Sequence, residues 1–283
     1  MDEVRLALDK LVGEMNSRER ILNDPILFPH RFSKKTDIEV AGFIASSLAY
    51  GKVELFLPVL EAVFSVMGNS PSHFCLAFDP KRDAEKFDGM YYRFTTGRDI
   101  ASMLLFIGKA LKDAGSLSNL FLRYFCNQNA DVREGTTGFL NYFRSLNRYP
   151  VSEETKWSHG LTHLFPSPSG ASALKRFNLF LRWMVREGGV DFGIWDRVPP
   201  SKLIIPLDTH VLRVGNQLGL TERKSANMGT ALEITSALSK LDPEDPVKYD
   251  FALCHFGISG KCPKAPVKTH CSTCVLWSIC KRS

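Results

Sequence analysis

Apolar residues recur three and four positions apart along almost the whole chain, and few segments alternate with a period of two. That pattern admits one broad class of fold, in which helices each bury one face against the others. Val4, Leu8, Leu11, Val12 and Met15 set the spacing in a first helix. After a loop with Pro25 and Pro29, Thr36 and Glu39 have the spacing of a capping box and predict an apolar helix to about Tyr50. Lys52 to Met67 reads as the next helix, closed by Gly68, and Ser70-Pro71 as another start. Further helices are predicted near 98–113, 117–126, 132–146, 173–186, 208–218, 229–240 and 246–256. A polar, proline-rich stretch from Pro150 to Gly170 interrupts the series. So does a long connection from Gly188 to Ile205 that holds Trp195, Pro199 and Pro200. Connections of that length are often functional.

With 283 residues and 44% apolar content, the chain can bury a core as one large or two small domains. A net charge of +6 permits an anionic partner without demanding one. No apolar run reaches the roughly 18 residues of a membrane span. The best stretch, Phe43 to Met67, is broken by Lys52, Glu54 and Glu61. The start of the chain, with Asp2, Glu3 and Arg5, has no apolar signal core behind a basic region. We therefore expect a cytoplasmic protein with no membrane partner.

Of seven cysteines, Cys75, Cys126 and Cys254 lie among apolar residues and read as core thiols. The other four form a tail, Cys262-x8-Cys271-x2-Cys274-x5-Cys280. In a cytoplasmic chain such crowding predicts metal rather than disulfides. Lys261, Lys264, Lys268, Lys281 and Arg282 surround the tail and are expected to favour thiolate. Four thiolates suit either a 4Fe-4S cluster or a structural zinc, although zinc ribbons have two close pairs and this tail has one.

Two further residues stand out. Asp208 falls at the expected N-cap of a helix, where backbone N–H groups hold a carboxylate ionised. Lys175 falls in the first turn of the predicted helix 173–186, where the positive pole and partial burial lower the pKa of an amine. Taken singly, Asp208 is a helix cap and Lys175 a solvated surface lysine. His210 reads as a structural hydrogen-bonder, and Phe180 and Trp183 as core.

The run Asp208-Thr209-His210-Val211-Leu212-Arg213-Val214, followed by Asn216 and Gly219-Leu220, resembles the helix-hairpin-helix DNA glycosylases of the endonuclease III type. Those chains also carry a four-cysteine loop after this motif, spaced x6, x2, x5. Their hairpin signature is matched by Pro168 to Asn178, with Lys175 and Asn178 in place of the family's Lys and Asn. Ala171 and Ala173 stand where the family has glycines. The insertion at 187–205 resembles the longer spacing of archaeal 8-oxoguanine glycosylases. Ser47 to Gly51 sits where the family has a turn that pushes a side chain into DNA, which nominates Tyr50; Tyr91, Tyr92 and Trp195 are further candidates for stacking on bases.

The resemblance implies an all-α, two-lobed, helix-hairpin-helix glycosylase-like architecture with a C-terminal four-cysteine iron–sulfur loop. Residues 36–175 would form a helical domain ending in the hairpin. Residues 1–35 and 176–283 would form the lobe with the cluster, and a cleft between the lobes would hold Lys175 and Asp208. It implies a base-excision repair glycosylase with AP-lyase activity, in which Lys175 forms a Schiff base at sugar C1′ and Asp208 assists. Gly170, Ala171, Ser172 and Ala173 would offer backbone N–H groups to a phosphate. It favours the 4Fe-4S cluster over zinc on Cys262, Cys271, Cys274 and Cys280. The partner would be double-stranded DNA with a damaged base or abasic site, met by a nucleoid-associated monomer. Two rival readings are a non-catalytic DNA-structure-binding protein of the same fold and a metal-stabilised helical scaffold for protein partners.

Overall fold

The computed structural model describes residues 2–15, 18–152, 156–263, 265 and 267–281. Among them the chain is all-α apart from two short antiparallel hairpins, Tyr91–Tyr92 with Thr95–Thr96 and Glu187–Gly188 with Asp191–Phe192. It divides into two compact units, one of residues 1–22 with 171–283 and the other of residues 23–170. No single described helix is long and apolar enough to cross a membrane.

In the unit 23–170, helix Lys35–Leu48 is buried on every side from Asp37 onward. Enclosed carboxylates must find donors or pay their full desolvation cost. Asp37 accepts the Ser72 N–H at 2.8 Å and the Ser70 hydroxyl at 3.0 Å, which caps helix Pro71–Ala77. Glu39 accepts the Leu117 N–H at 3.2 Å, at the start of helix Leu117–Leu122. The Thr36–Glu39 capping box therefore does not form, because Glu39 serves a different helix; Lys34 takes the N-cap position without a side-chain bond. A capping box forms instead at Thr96 and Asp99, which open helix Gly97–Ala114. The stretch expected to be irregular, Pro150 to Gly170, includes helix His159–Leu164, capped by the Ser158 hydroxyl.

The unit of 1–22 with 171–283 packs helices Asp2–Met15 and Thr209–Gln217 against helix Asp250–Ile258. Helices Lys175–Val185 and Met228–Ser239 complete its longer elements. The connection after residue 185 is ordered. It turns through the second hairpin, and Trp195, fully buried, donates its N–H to the Met184 carbonyl at 2.8 Å. Its ring meets Phe180 edge-on at 5.2 Å.

Two expectations are corrected here. The architecture is not the helix-hairpin-helix glycosylase-like one with a four-cysteine iron–sulfur loop. Hairpin glycines would take left-handed backbone, yet the only described non-glycine residues with positive φ are Arg93 and Leu174, and Gly170, Ala171 and Ala173 have none. The chain instead reaches helix Lys175–Val185 through a connection bridged from Ser172 to Asn227.

The metal centre fails as well. Among the described residues no three His, Cys, Asp or Glu side chains come together to hold a metal ion. Cys262, Cys271, Cys274 and Cys280 are each half-buried. Cys271 and Cys274 share a turn, with the Cys274 N–H on the Cys271 carbonyl at 3.1 Å. Burial pushes the Cys274 thiol up, only partly offset by the Leu276 N–H it accepts, and the neighbouring Cys280 and Cys271 push it further. Lys264 and Arg282, expected to supply positive charge, lie outside the described residues, as does the side chain of Lys268. Neither a 4Fe-4S cluster nor zinc fits this donor set. Of the three expected core thiols, Cys75 is buried, Cys254 half-buried and Cys126 exposed.

Gly108 offers a direct test of packing in the unit 23–170. A Cβ there would stand 2.1 Å from the Cys75 carbonyl oxygen, a main-chain atom that cannot swing away. Alanine gains about 1 kcal/mol of helix propensity over glycine, but overpacking costs about 1–3 kcal/mol and more where the backbone must shift. Gly108→Ala is expected to lower the urea midpoint; an unchanged or raised midpoint would show that the helices are free to separate.

Candidate active site

The path into helix Lys175–Val185 is held by the main chain. Ser172 bridges to Asn227, and the Met228 N–H donates to the Ala171 carbonyl at 3.1 Å. Leu174 then takes φ 47° and ψ 39°, a left-handed conformation that costs a leucine about 1–3 kcal/mol. Several contacts hold it there. Its side chain is buried. Its N–H donates to the Ser172 hydroxyl at 3.2 Å, and its carbonyl accepts the Phe177 and Asn178 N–H groups. The Asn178 side-chain amide donates to the Ala173 carbonyl at 2.9 Å. Lys175 follows as the first helical residue, its side chain 34% exposed.

From helix Lys175–Val185 the connection folds back and delivers Asp208 to the start of helix Thr209–Gln217. Asp208 Oδ1 accepts the His210 and Val211 N–H groups, each at 2.8 Å, as an N-cap. With Oδ1 fixed, Oδ2 faces the other way. It lies 3.5 Å from Lys175 Nζ and 3.5 Å from the Cys254 thiol, which donates to it. Residues 33 apart in sequence thus meet at the first turns of two helices in one unit. Burial works against the Asp208 charge. Lys175, the Val211 N–H, His210 and the Cys254 thiol outweigh it and hold the carboxyl below the ordinary range.

Behind this pair lies a buried ion network. Arg182 donates to Asp191 at 3.2 Å and pairs with Asp250; Arg186 pairs with Asp191 and, at 2.8 Å, with Asp245. Burial pushes the Asp250 carboxyl up, to about 6, with Arg182 pulling it down and the Asp208 charge pushing it up. Sequence reasoning did not single out Arg182 or Asp250, and it read Cys254 only as core. One signal was available: Asp250 and Cys254 are four apart and share a helix face.

The other nominated residues are placed as follows. Ala171 and Ser172 are exposed and Ala173 is buried; Gly170, also exposed, belongs to the other unit. Tyr50, in that same unit, is half-buried. Its ring stacks on Phe94 at 5.5 Å, and its hydroxyl donates to the Tyr92 carbonyl at 3.1 Å. Tyr92 and Trp195 are buried, and Tyr91 is exposed. Chemically, an amine and a carboxylate held face to face beside a thiol can bind an anion or electrophile, or can move a proton.

A family profile described as "Protein of unknown function (DUF2400)" matches residues 24–259, and the chain belongs to that family. No curated protein and no solved structure compared with the chain matches it.

The depressed Asp208 pKa has a consequence for stability. A carboxyl whose folded pKa lies below its unfolded value of about 3.9 stabilises the fold above that value, and the contribution is lost as pH falls through the folded pKa. Asp208→Asn keeps an oxygen for the cap but cannot ionise. Its stability, followed by urea unfolding between about pH 5 and about pH 2, is expected to fall less steeply than that of the unsubstituted protein. Parallel curves would mean that the ion pair with Lys175 adds nothing.

Proposed function

We propose that this chain is a DNA base-excision glycosylase with AP-lyase activity, in which Lys175 is the nucleophile and Asp208 its partner. One observation carries the reading: Lys175 Nζ stands 3.5 Å from Asp208 Oδ2, with the carboxylate locked in place through its other oxygen. The resemblance of residues 208–220 and of Lys175 and Asn178 to the endonuclease III type supports it. The reading needs neither a metal nor a cluster.

The chemistry follows from the two groups. The Lys175 amine attacks sugar C1′ and the glycosidic bond breaks, its electron pair leaving with the base. The resulting adduct opens to a Schiff base, which permits strand cleavage by β-elimination. Positive charge grows on the sugar as the base departs, and Asp208 Oδ2 is aimed at that region. A carboxylate pre-oriented by two N–H groups needs no reorganisation when the charge appears, a kind of stabilisation commonly worth about 3–4 kcal/mol. The target nucleotide must leave the helix stack, which costs least at a damaged or unpaired base. That preference suits a duplex with a damaged base or abasic site as partner.

Borohydride added to the protein with duplex carrying an abasic site is expected to trap a covalent protein–DNA adduct. Lys175→Gln is expected to fold, bind and trap nothing. Asp208→Asn is expected to bind at least as well, having lost a negative charge, and to react about a hundred- to a thousandfold more slowly. Trapping that survives Lys175→Gln would move the nucleophile elsewhere. Tight DNA retention with neither trapping nor base release would leave a DNA-binding protein without chemistry.

DNA affinity itself is expected to depend on salt. With about five phosphates contacted, log K against log salt has a slope of about −4 to −5. A flat response would remove DNA as the partner.

A further inference from the structure

We infer that Cys254 is a positioning residue for the proposed reaction: its thiol holds Asp208 Oδ2 in place while the Lys175 nitrogen leaves that oxygen for the sugar. The inference rests on the proposed reading of Lys175 and Asp208 and adds a third residue to that pair.

The place of Cys254 is set by ties on both sides of it. Four residues earlier on helix Asp250–Ile258, Asp250 pairs with Arg182 of helix Lys175–Val185. Three residues later, the Gly257 carbonyl accepts the Arg213 guanidinium of helix Thr209–Gln217 at 2.6 Å. Gly257 also lets those two helices approach, since a Cβ there would stand 2.9 Å from His210 Cβ. Residues three and four apart share a helix face. Asp250, Cys254 and Gly257 therefore form one stripe, tied at one end to the helix that carries Lys175 and at the other to the helix that Asp208 caps. From the middle of that stripe the half-buried Cys254 thiol donates to Asp208 Oδ2 at 3.5 Å.

The reaction gives this contact its use. Asp208 Oδ1 is fixed by the His210 and Val211 N–H groups, and Oδ2 lies 3.5 Å from Lys175 Nζ. The lysine contact cannot last, because the nitrogen must bond to sugar C1′. The thiol takes no part in the bonds that change, and it stands on a packed helix, so its contact stays. A thiol is also a weak donor. It orients the carboxylate and leaves most of the negative charge free to meet the positive charge that grows on the sugar. The groups that face Asp208 are Lys175 from helix Lys175–Val185, Cys254 and Asp250 from helix Asp250–Ile258, and His210 on its own helix. Burial opposes the Asp208 charge, and the thiol is among the groups that sustain it.

Serine and alanine leave almost the same space at position 254, and only serine keeps a donor, so the two variants separate hydrogen bonding from packing. In protein labelled with 13C at the aspartate carboxyls, the Asp208 signal is identified by its absence from Asp208→Asn. Followed from about pH 2 to about pH 6, its midpoint is expected to rise in Cys254→Ala, which loses a donor to the ionised form. In Cys254→Ser it is expected to stay at or below the unsubstituted value. Borohydride trapping, measured with abasic duplex in excess, is expected to be about tenfold slower in Cys254→Ala and largely restored in Cys254→Ser. An Asp208 midpoint unmoved in Cys254→Ala overturns the proposal, as does equal trapping by the serine and alanine variants. If Cys254→Ala does not fold, Cys254→Val fills the space without a donor and takes its place in both comparisons. If the unsubstituted protein traps nothing, the nucleophile reading fails, and the Asp208 titration alone decides whether Cys254 holds the carboxylate.

Discussion

The interaction on which the site depends is the buried Arg182 guanidinium, held between Asp191 and Asp250. It joins three separate pieces of chain: helix Lys175–Val185, the connection after it, and helix Asp250–Ile258. Ions are expensive to bury, and removal of one partner from such a pair commonly costs about 3–5 kcal/mol. The planar guanidinium has five donors in a fixed fork and can serve two carboxylates from different directions, which a lysine ammonium does less well. Arg186 extends the arrangement to Asp245 through a shared Asp191. Lys175 and Arg182 lie seven residues apart, two helical turns on one face. Fixing Arg182 in the interior therefore also fixes where Lys175 emerges.

Asp208 shows how one carboxylate can serve structure and chemistry together. Its Oδ1 closes the first turn of helix Thr209–Gln217, while Oδ2 is left for Lys175 and Cys254. The cap sets the direction of the second oxygen, so side-chain freedom is spent before any ligand arrives. On the opposite side, Leu174 sits in a left-handed conformation immediately before Lys175. Backbone strain of this kind persists only where neighbours over-determine it, and here Ser172, Asn178 and the bridge to Asn227 do so. Both halves of the pair thus stand on helix starts, which are more rigid than loops.

The helices were largely legible because their signal is local. Apolar spacing in the predicted segment 98–113 is enough to locate helix Gly97–Ala114, and the same holds for Met228–Ser239. Their caps were less legible. Glu39 has the spacing to cap its own helix but reaches Leu117, 78 residues away. The cysteine tail failed for a related reason: spacing says that four thiols are near one another in the chain, not that they converge. Lys175 and Asp208 could be named from short motifs, whereas Asp250, Cys254 and Arg182 could not. Each of those three draws its role from groups on other elements, and the one local sign, the four-residue spacing of Asp250 and Cys254, does not say what their shared face meets.

The sequence by itself determined the all-α class, most of the helices, and a lysine and an aspartate at the starts of two of them. These are properties of windows a few turns long, set by periodicity and helix-end chemistry. Tertiary structure alone decided that the connection after residue 185 folds back and brings Asp208 within 3.5 Å of Lys175. It decided that Asp250 keeps one oxygen buried and unpartnered, and that the four tail cysteines do not assemble as metal ligands. The physical reason is common to all three. Electrostatic pairing, desolvation and metal coordination depend on distances across space, and those distances are set only when separate segments pack.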